Sequence, residues 1–243
     1  MNSNSDWPSK DKLVWSYSHR AIKQDLYDTL IICNHVKNVL KEDTLAMKIS
    51  EKKISEKFIK CFNKWILLVL DNIKYHYVYK HKYYFPMCEY PICNELLDDY
   101  QYIENKMKEI YTLDTCIKQE LKKNTTDSTR IIIEHIYTNK TYIQELLTLI
   151  NTNFKKEDNI LLPKIMANFT YSTIRSLDIK IGIRAKWYAL PHLYRDILKP
   201  EYMDHIKTVL QIPTITVKTV LALHFKRYKM EYEPVIDTLL PIL

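Results

Sequence analysis

Residues 92–123 read I-C-N-E-L-L-D-D-Y-Q-Y-I-E-N-K-M-K-E-I-Y-T-L-D-T-C-I-K-Q-E-L-K-K, and this stretch decides the fold class. Its apolar side chains recur every three or four residues, which is the spacing of one face of an α-helix. Pro86 and Pro91 lie just before it. We therefore predict a long amphipathic helix with an apolar stripe of Leu96, Tyr100, Ile103, Met107, Ile110, Leu113 and Ile117.

The same spacing recurs on both sides of this stretch. It predicts helices over residues 19–40, from Ser55 onward, and over 129–138 and 140–155, with Asn139 between the last two. Residues 74–84, K-Y-H-Y-V-Y-K-H-K-Y-Y, alternate well enough for a strand and are also tolerable as helix. The fold expected is all-α: a mostly helical, multi-helix bundle with two subdomains and a minor strand near 74–84.

Glycine is nearly absent from this chain. Gly182 is the single glycine, whereas there are 19 tyrosines. The G-x-G-x-x-G, P-loop and G-x-S-x-G motifs each need more than one glycine, because their turns require positive φ or a close backbone approach. The sequence therefore argues against a nucleotide cofactor, and helices lose little from the absence.

Charge and proline divide the chain unevenly. Residues 1–163 hold 24 basic and 22 acidic side chains, whereas residues 164–243 hold 12 and 7. Six of the prolines fall within residues 159–243, and the segment 155–159 looks like a charged link. We predict a polar N-terminal tail over 1–17, a helical bundle over 18–155, and a basic, proline-punctuated helical subdomain over 159–243. The basic subdomain is the better candidate for an anionic partner.

The compartment is inferred from the cysteines and from the apolar runs. The five cysteines are odd in number and scattered, which is typical of reduced thiols. The first twelve residues contain no apolar signal region, and the longest apolar run, 65–70, is too short to span a membrane. A cytoplasmic or nuclear protein without a membrane span is expected. The abundance of Ile, Lys, Asn and Tyr also indicates an AT-rich genome.

Residues 203–222 resemble a generic helix-turn-helix element, a motif rather than a family. Apolar residues occupy the five positions where two such helices touch: Ile206, Leu210, Ile212, Val217 and Val220. The resemblance implies that Thr214, Ile215, Lys218 and Thr219 face the major groove, while Lys226, Arg227 and Lys229 approach phosphates. Lys207 and Gln211 depart from the motif, and any two packed helices give the same apolar spacing.

A second pattern carries metal-binding residue types. His76, His81, Cys88 and Cys93 follow one another with gaps of four, six and four residues. Imidazole and thiolate are the donors that Zn²⁺ prefers, although the central gap is shorter than usual. Cysteines buried in the core and histidines on the surface would give the same sequence pattern without a metal. No cofactor is expected, and zinc is the alternative that this pattern leaves open.

Two further stretches are candidates for binding surfaces. The tyrosines and basic residues of 74–84 suit stacking on unpaired bases, or equally a helix or strand that buries its rings. The C-terminal stretch is apolar and carries few charges, which suggests docking on the chain's own core or on a partner. Its candidate contact residues are Val235, Ile236, Leu239, Leu240 and Ile242.

These patterns favour a non-enzymatic intracellular interaction protein, a subunit or accessory factor that binds a protein partner. The alternative is a DNA- or RNA-binding factor that uses residues 203–222, with the basic residues beyond them. An enzyme of unrecognised class is the third hypothesis. No catalytic residue is nominated, because no sequential motif marks one.

Overall fold

A computed structural model of the chain describes residues 7–42, 56–88, 92–123, 125–184, 192 and 222–239. Every described element is helical, which confirms the all-α fold. The α-helices are α1 (Val14–Glu42), α2 (Glu56–Tyr79), α3 (Ile92–Lys123), α4 (Thr126–Lys156), α5 (Leu162–Asn168), α6 (Tyr171–Arg184) and α7 (Ala222–Leu239). Shorter turns are 3₁₀-helical at Lys10–Lys12 and Phe85–Met87, and π-helical at Lys80–Tyr84 and Glu157–Leu161.

The chain divides into two compact units, and each of the helices α1 to α4 contributes a segment to both. The first unit draws its described residues from Met1–Ile22, Tyr75–Asp98 and Thr152–Tyr232. The second draws them from Lys23–Lys74, Asp99–Asn151 and Glu233–Leu243. The core of the second unit consists of apolar stripes, and its largest fully buried side chains include Trp65, Phe62, Leu26, Ile32, Ile66, Leu70 and Ile73.

The predicted stripe on α3 is buried, with one exception. Leu96, Tyr100, Ile103, Met107, Ile110 and Ile117 are each at most 9% exposed. Leu113 is only half-buried, and its neighbour Asp114 is buried and paired with Lys118 one turn later. The spacing of the apolar residues therefore predicted this helix and all but one residue of its buried face.

The strand considered for residues 74–84 is wrong. α2 continues to Tyr79, and a π-helical turn follows at once. The physical reason is burial at helical spacing: Ile73, Tyr77, Lys80 and Tyr84 are all buried, three or four residues apart. The alternation of tyrosine and basic residues along 74–84 does not correspond to the two faces of a sheet.

The break at Asn139 and the link at 155–159 are also wrong. α4 is continuous from Thr126 to Lys156 and contains Asn139 as a fully buried residue. The helical chain then continues through Glu157–Leu161 into α5 without a loop. The charged residues of this segment led to its interpretation as a link, but Glu157 is fully buried. Burial beside partners of opposite charge overrides what the composition of the segment indicates.

α1 begins at Val14, within the segment interpreted as a polar tail, and Leu13 and Trp15 are buried. The division into 1–17, 18–155 and 159–243 otherwise stays a prediction, because much of the last part lies outside the described residues. Within the described part of the chain, no helix is both long and apolar enough to cross a membrane.

Candidate functional site

The first unit contains a cluster of four ionisable side chains in its interior. His19 lies on α1, His76 on α2, Lys80 at the start of the first π-helical turn and Glu157 at the start of the second. Their exposed fractions are 4%, 8%, 3% and 0%. Groups of this kind are rarely buried unless they pair with one another, so their mutual geometry is what stabilises them.

The Lys80 ammonium is the centre of the cluster. Its Nζ donates hydrogen bonds to Glu157 Oε2 and, at 3.0 Å, to His19 Nε2. The same carboxylate oxygen lies 3.0 Å from His19 Nε2 and 3.7 Å from His76 Nε2. The ammonium thus contacts His19 and Glu157, and His76 Nε2 joins them only as a neighbour of the same carboxylate oxygen.

His19 is held in one orientation by its other neighbours. Its Nδ1 lies 3.3 Å from Asp158 Oδ1, and its ring stacks on Phe154 with centroids 3.7 Å apart. Each ring nitrogen thus faces a carboxylate, Nδ1 that of Asp158 and Nε2 that of Glu157, and Nε2 faces the Lys80 ammonium as well.

His76 also faces the cluster: its buried Nε2 lies 3.7 Å from Glu157 Oε2, close enough for an electrostatic interaction but beyond hydrogen-bond distance. Burial, with the nearby Lys80 charge, lowers the pKa of His76 to about 3. The imidazole therefore stays neutral at physiological pH and offers a lone pair rather than a charge.

Opposite charges offset the burial of Lys80 and Glu157. Burial lowers the pKa of Lys80 to about 8, even though Glu157 acts to raise it. Burial also raises the pKa of Glu157, but the Lys80 charge and the two imidazoles outweigh it and hold that pKa well below its usual value. The ammonium also lies 3.2 Å from the centre of the Trp15 ring, a cation–π contact.

A second buried pair lies in the same unit. The Tyr84 hydroxyl donates a hydrogen bond to Asp178 Oδ1 on α6. Burial raises the pKa of Asp178 to about 7, although Tyr84 and Lys80 both act to lower it. Burial likewise raises the pKa of Tyr84 well above its usual value, and the Asp178 charge acts in the same direction.

The Asp178 shift predicts a pH effect on stability. Because the pKa rises from 3.8 to about 7 on folding, the native state binds this proton more tightly than the unfolded state. The contribution of Asp178 to the free energy of unfolding therefore falls as pH rises from 3.8 to 7. We expect Asp178→Asn to gain stability relative to the wild type over that range, measured by urea unfolding at pH 5 and pH 7. An unchanged difference at the two pH values would contradict the assignment.

Both π-helical turns begin at a cluster residue. The Phe85 N–H donates to the Lys80 carbonyl, and the Leu162 N–H donates to the Glu157 carbonyl. A π-helical turn inserts one extra residue into an α-helix, re-aims the side chains around it and is frequent at functional sites. Each turn therefore begins at one member of the Lys80–Glu157 ion pair.

Of the four residues predicted to bind zinc, the structure brings His76 into the cluster. His81 is exposed, with its ring near Phe85, and Cys88 is half-buried. The side chain of Cys93 lies outside the described part of the chain. Zinc binding by these four residues stays a prediction.

The candidate interaction residues fall partly on α7. Lys226, Arg227 and Lys229 are exposed, and Arg227 Nε donates to Glu231 at 2.9 Å. Val235 and Leu239 are buried and Ile236 is half-buried, in line with docking on the chain's own core. The other candidates, Thr214, Ile215, Lys218, Thr219, Leu240 and Ile242, lie outside the described residues.

The five tyrosines of residues 74–84 fall into two groups: two are buried, and three contact one another. Tyr77 and Tyr84 are buried. Tyr75, Tyr79 and Tyr83, one helical turn apart, contact one another: the first two rings are tilted, with centroids 4.1 Å apart, and the last two are stacked, with centroids 5.6 Å apart. Base stacking by this run stays a prediction, and its rings already contact one another.

Three members of the cluster escaped the sequence reasoning: His19, Lys80 and Glu157. They are separated by up to 138 residues, so no local motif links them. A signal was nevertheless present, because each lies in register with an apolar stripe. The stripes are Trp15–His19–Ile22 on α1, Ile73–Tyr77–Lys80–Tyr84 on α2 and its π-turn, and Ile150–Phe154–Glu157–Leu161 on α4 and its π-turn.

Comparisons with protein-family models, with curated proteins and with solved structures find no match for this chain. What can be said of its function therefore rests on its own geometry. That geometry defines an all-helical protein whose first unit encloses a charged, histidine-containing cluster.

Proposed function

We propose that this chain is a non-enzymatic helical interaction protein, a subunit or accessory factor of a larger complex, and that α7 is its docking element. The observation that carries the proposal is the exposure of Leu223 at 67% and Met230 at 71%. These are the two most exposed large apolar side chains among the described residues. Seven residues apart, they lie two turns apart on one helix face.

The opposite face of α7 is the buried one. Tyr228, Val235 and Leu239 follow one another at intervals of seven and four residues and are each at most 6% exposed. α7 is therefore anchored along one stripe and presents Leu223 and Met230 away from it. Exposed apolar side chains of this size, rimmed by charge, are typical of protein-binding surfaces.

The charges around this face suggest the chemistry of the partner. Lys226 and Arg227 lie between Leu223 and Met230 in sequence and are both exposed. The C-terminal third also carries an excess of basic residues. A protein that presents apolar side chains beside carboxylates would complement this face both in packing and in charge.

The buried cluster supports the non-enzymatic reading. A catalytic group must reach a substrate, whereas Lys80 and Glu157 are nearly or fully buried and already neutralise each other. The cluster ties α1, α2 and α4 together within the first unit. We therefore assign it a role in shaping that unit rather than in turnover.

Replacing both exposed apolar residues tests the docking proposal. We expect Leu223→Asp with Met230→Asp to reduce partner recovery from native extract at least about tenfold, because two desolvated apolar contacts become charged. Helical content and melting temperature should change little. Val78→Asp, at a site 50% exposed on α2, is the matched control and should retain the partner. Equal recovery by the double variant and the wild type would contradict the proposal.

The alternative function, nucleic-acid binding, has support in the exposure of Lys226, Arg227 and Lys229. It requires affinity for duplex DNA or RNA that falls steeply with salt. Fluorescence anisotropy at about 50 mM salt, repeated with all three residues replaced by alanine, distinguishes it. Tight binding lost in the triple variant would favour this alternative over protein docking.

A further inference from the structure

We propose that His19, His76 and Glu157 form a three-ligand site for a divalent transition-metal ion of the zinc class. In the bound form, the ion takes the position held here by the Lys80 ammonium. This site is distinct from the docking face of α7. It also differs from the local His-Cys pattern, with which it shares only His76.

The donor atoms have the spacing that a metal requires. In a tetrahedral site with bonds of about 2.1 Å, two ligand atoms lie about 3.4 Å apart. Glu157 Oε2 is 3.0 Å from His19 Nε2 and 3.7 Å from His76 Nε2. All three atoms lie within 4.8 Å of one another. Small side-chain adjustments would bring the set to bonding geometry.

The donor types fit the same class of ion. Two imidazole nitrogens and one carboxylate oxygen form the donor set of many three-ligand zinc sites. A fourth position would be left for water or for another donor. Calcium and magnesium, which prefer oxygen ligands, fit this set poorly.

Two independent features point to a ligand rather than to an ordinary ion pair. The first is His76, whose buried Nε2 faces the cluster without a hydrogen-bond partner. The second is Asp158, whose Oδ1 lies 3.3 Å from His19 Nδ1. A carboxylate behind a histidine, fixing its tautomer so that the other nitrogen faces the ion, is a recurrent feature of metal sites.

Lys80 must move for the ion to bind. Its ammonium already contacts His19 Nε2 and Glu157 Oε2, two of the three proposed ligand atoms, and a metal ion cannot share that place with a second positive charge. The charges of Asp158 and Asp178 already act on Lys80 and offer its flexible side chain an alternative partner. Lys80 would then act as a built-in competitor that weakens metal affinity without removing a ligand.

The first experiment is a calorimetric titration of the full chain with Zn²⁺ after chelator treatment. We expect one ion per chain, and an affinity at least about tenfold weaker in His76→Leu, which loses a ligand but no hydrogen bond. His81→Ala and Cys88→Ser should bind as the wild type does. Absence of binding by the wild type at about 100 μM zinc, or equal loss in His81→Ala and His76→Leu, would overturn the proposal.

The second experiment uses the competitor itself. Lys80→Met removes the ammonium, so zinc should raise the melting temperature of this variant more than that of the wild type. Adding His76→Leu to Lys80→Met should abolish the increase. Should Lys80→Met be unfolded in chelator, zinc-dependent recovery of its helical circular dichroism is the equivalent readout. An unchanged Lys80→Met signal on adding zinc would overturn the proposal, whatever becomes of the docking face.

Discussion

Lys80→Met is expected to lower the free energy of unfolding by about 3–5 kcal/mol in chelator-containing buffer. The substitution keeps most of the length of the side chain but leaves the buried Glu157 carboxylate without the Lys80 cation. A buried charge without a partner costs far more than the ion pair contributes. Urea unfolding followed by circular dichroism measures the loss.

Two matched variants complete this experiment. Replacing both Lys80 and Glu157 by Met should recover most of the loss, because an apolar pair of similar volume needs no compensation. Lys60→Met breaks the pair with Glu56, in which both side chains are more than 60% exposed. It should cost no more than about 0.5 kcal/mol. A small effect of Lys80→Met, similar to that of Lys60→Met, would contradict a buried pair.

Trp65→Ala is expected to be about as damaging, at about 3–5 kcal/mol, and for a different reason. Trp65 is 1% exposed and is the largest fully buried side chain among the described residues of the second unit. Its indole N–H donates to Thr29 Oγ1 at 2.9 Å, and the Thr29 hydroxyl donates in turn to the Asp25 carbonyl at 2.6 Å. The alanine variant loses both the packing and the first of these bonds.

Tyr102→Ala is the control for Trp65→Ala. Tyr102 is aromatic and also lies in the second unit, but it is 65% exposed, so its loss should change stability by no more than about 0.5 kcal/mol. Trp65→Phe should fall between the two, because it keeps a ring but cannot donate to Thr29. Equal effects of the two alanine variants would contradict the placement of Trp65 in the core.

The helices were largely predictable because their stabilising stripes are local. The apolar residues of α3 recur at helical spacing within one segment, and all but Leu113 proved to be buried. Segment boundaries were less predictable. Asn139 and the charged letters around Glu157 indicated breaks, yet both residues are buried within continuous helical segments. The charge of Glu157 is accommodated by Lys80 from a distant part of the chain, which no local window contains. The side-chain amide of Asn139 is buried without a hydrogen-bond partner among the described residues.

The cluster could not be predicted because its partners are distant in sequence. His19 and Glu157 are 138 residues apart, and Lys80 and Glu157 are 77 apart. The sequence pattern nominated His76 together with residues close to it along the chain. In the structure, its neighbours in the cluster include His19 and Glu157, which come from other helical segments. The helical spacing of the apolar residues marks Lys80 and Glu157 as buried charges. It does not show that these two residues contact each other.

Lys80 is buried against Glu157. Amine labelling followed by mass spectrometry tests this burial most directly. Lys80 is 3% exposed, whereas the Lys60 side chain is 63% exposed. In the native chain we expect Lys60 to be modified at the rate of a free amine and Lys80 to be protected until the chain unfolds. Modification of Lys80 at the rate of Lys60 under native conditions would contradict the account.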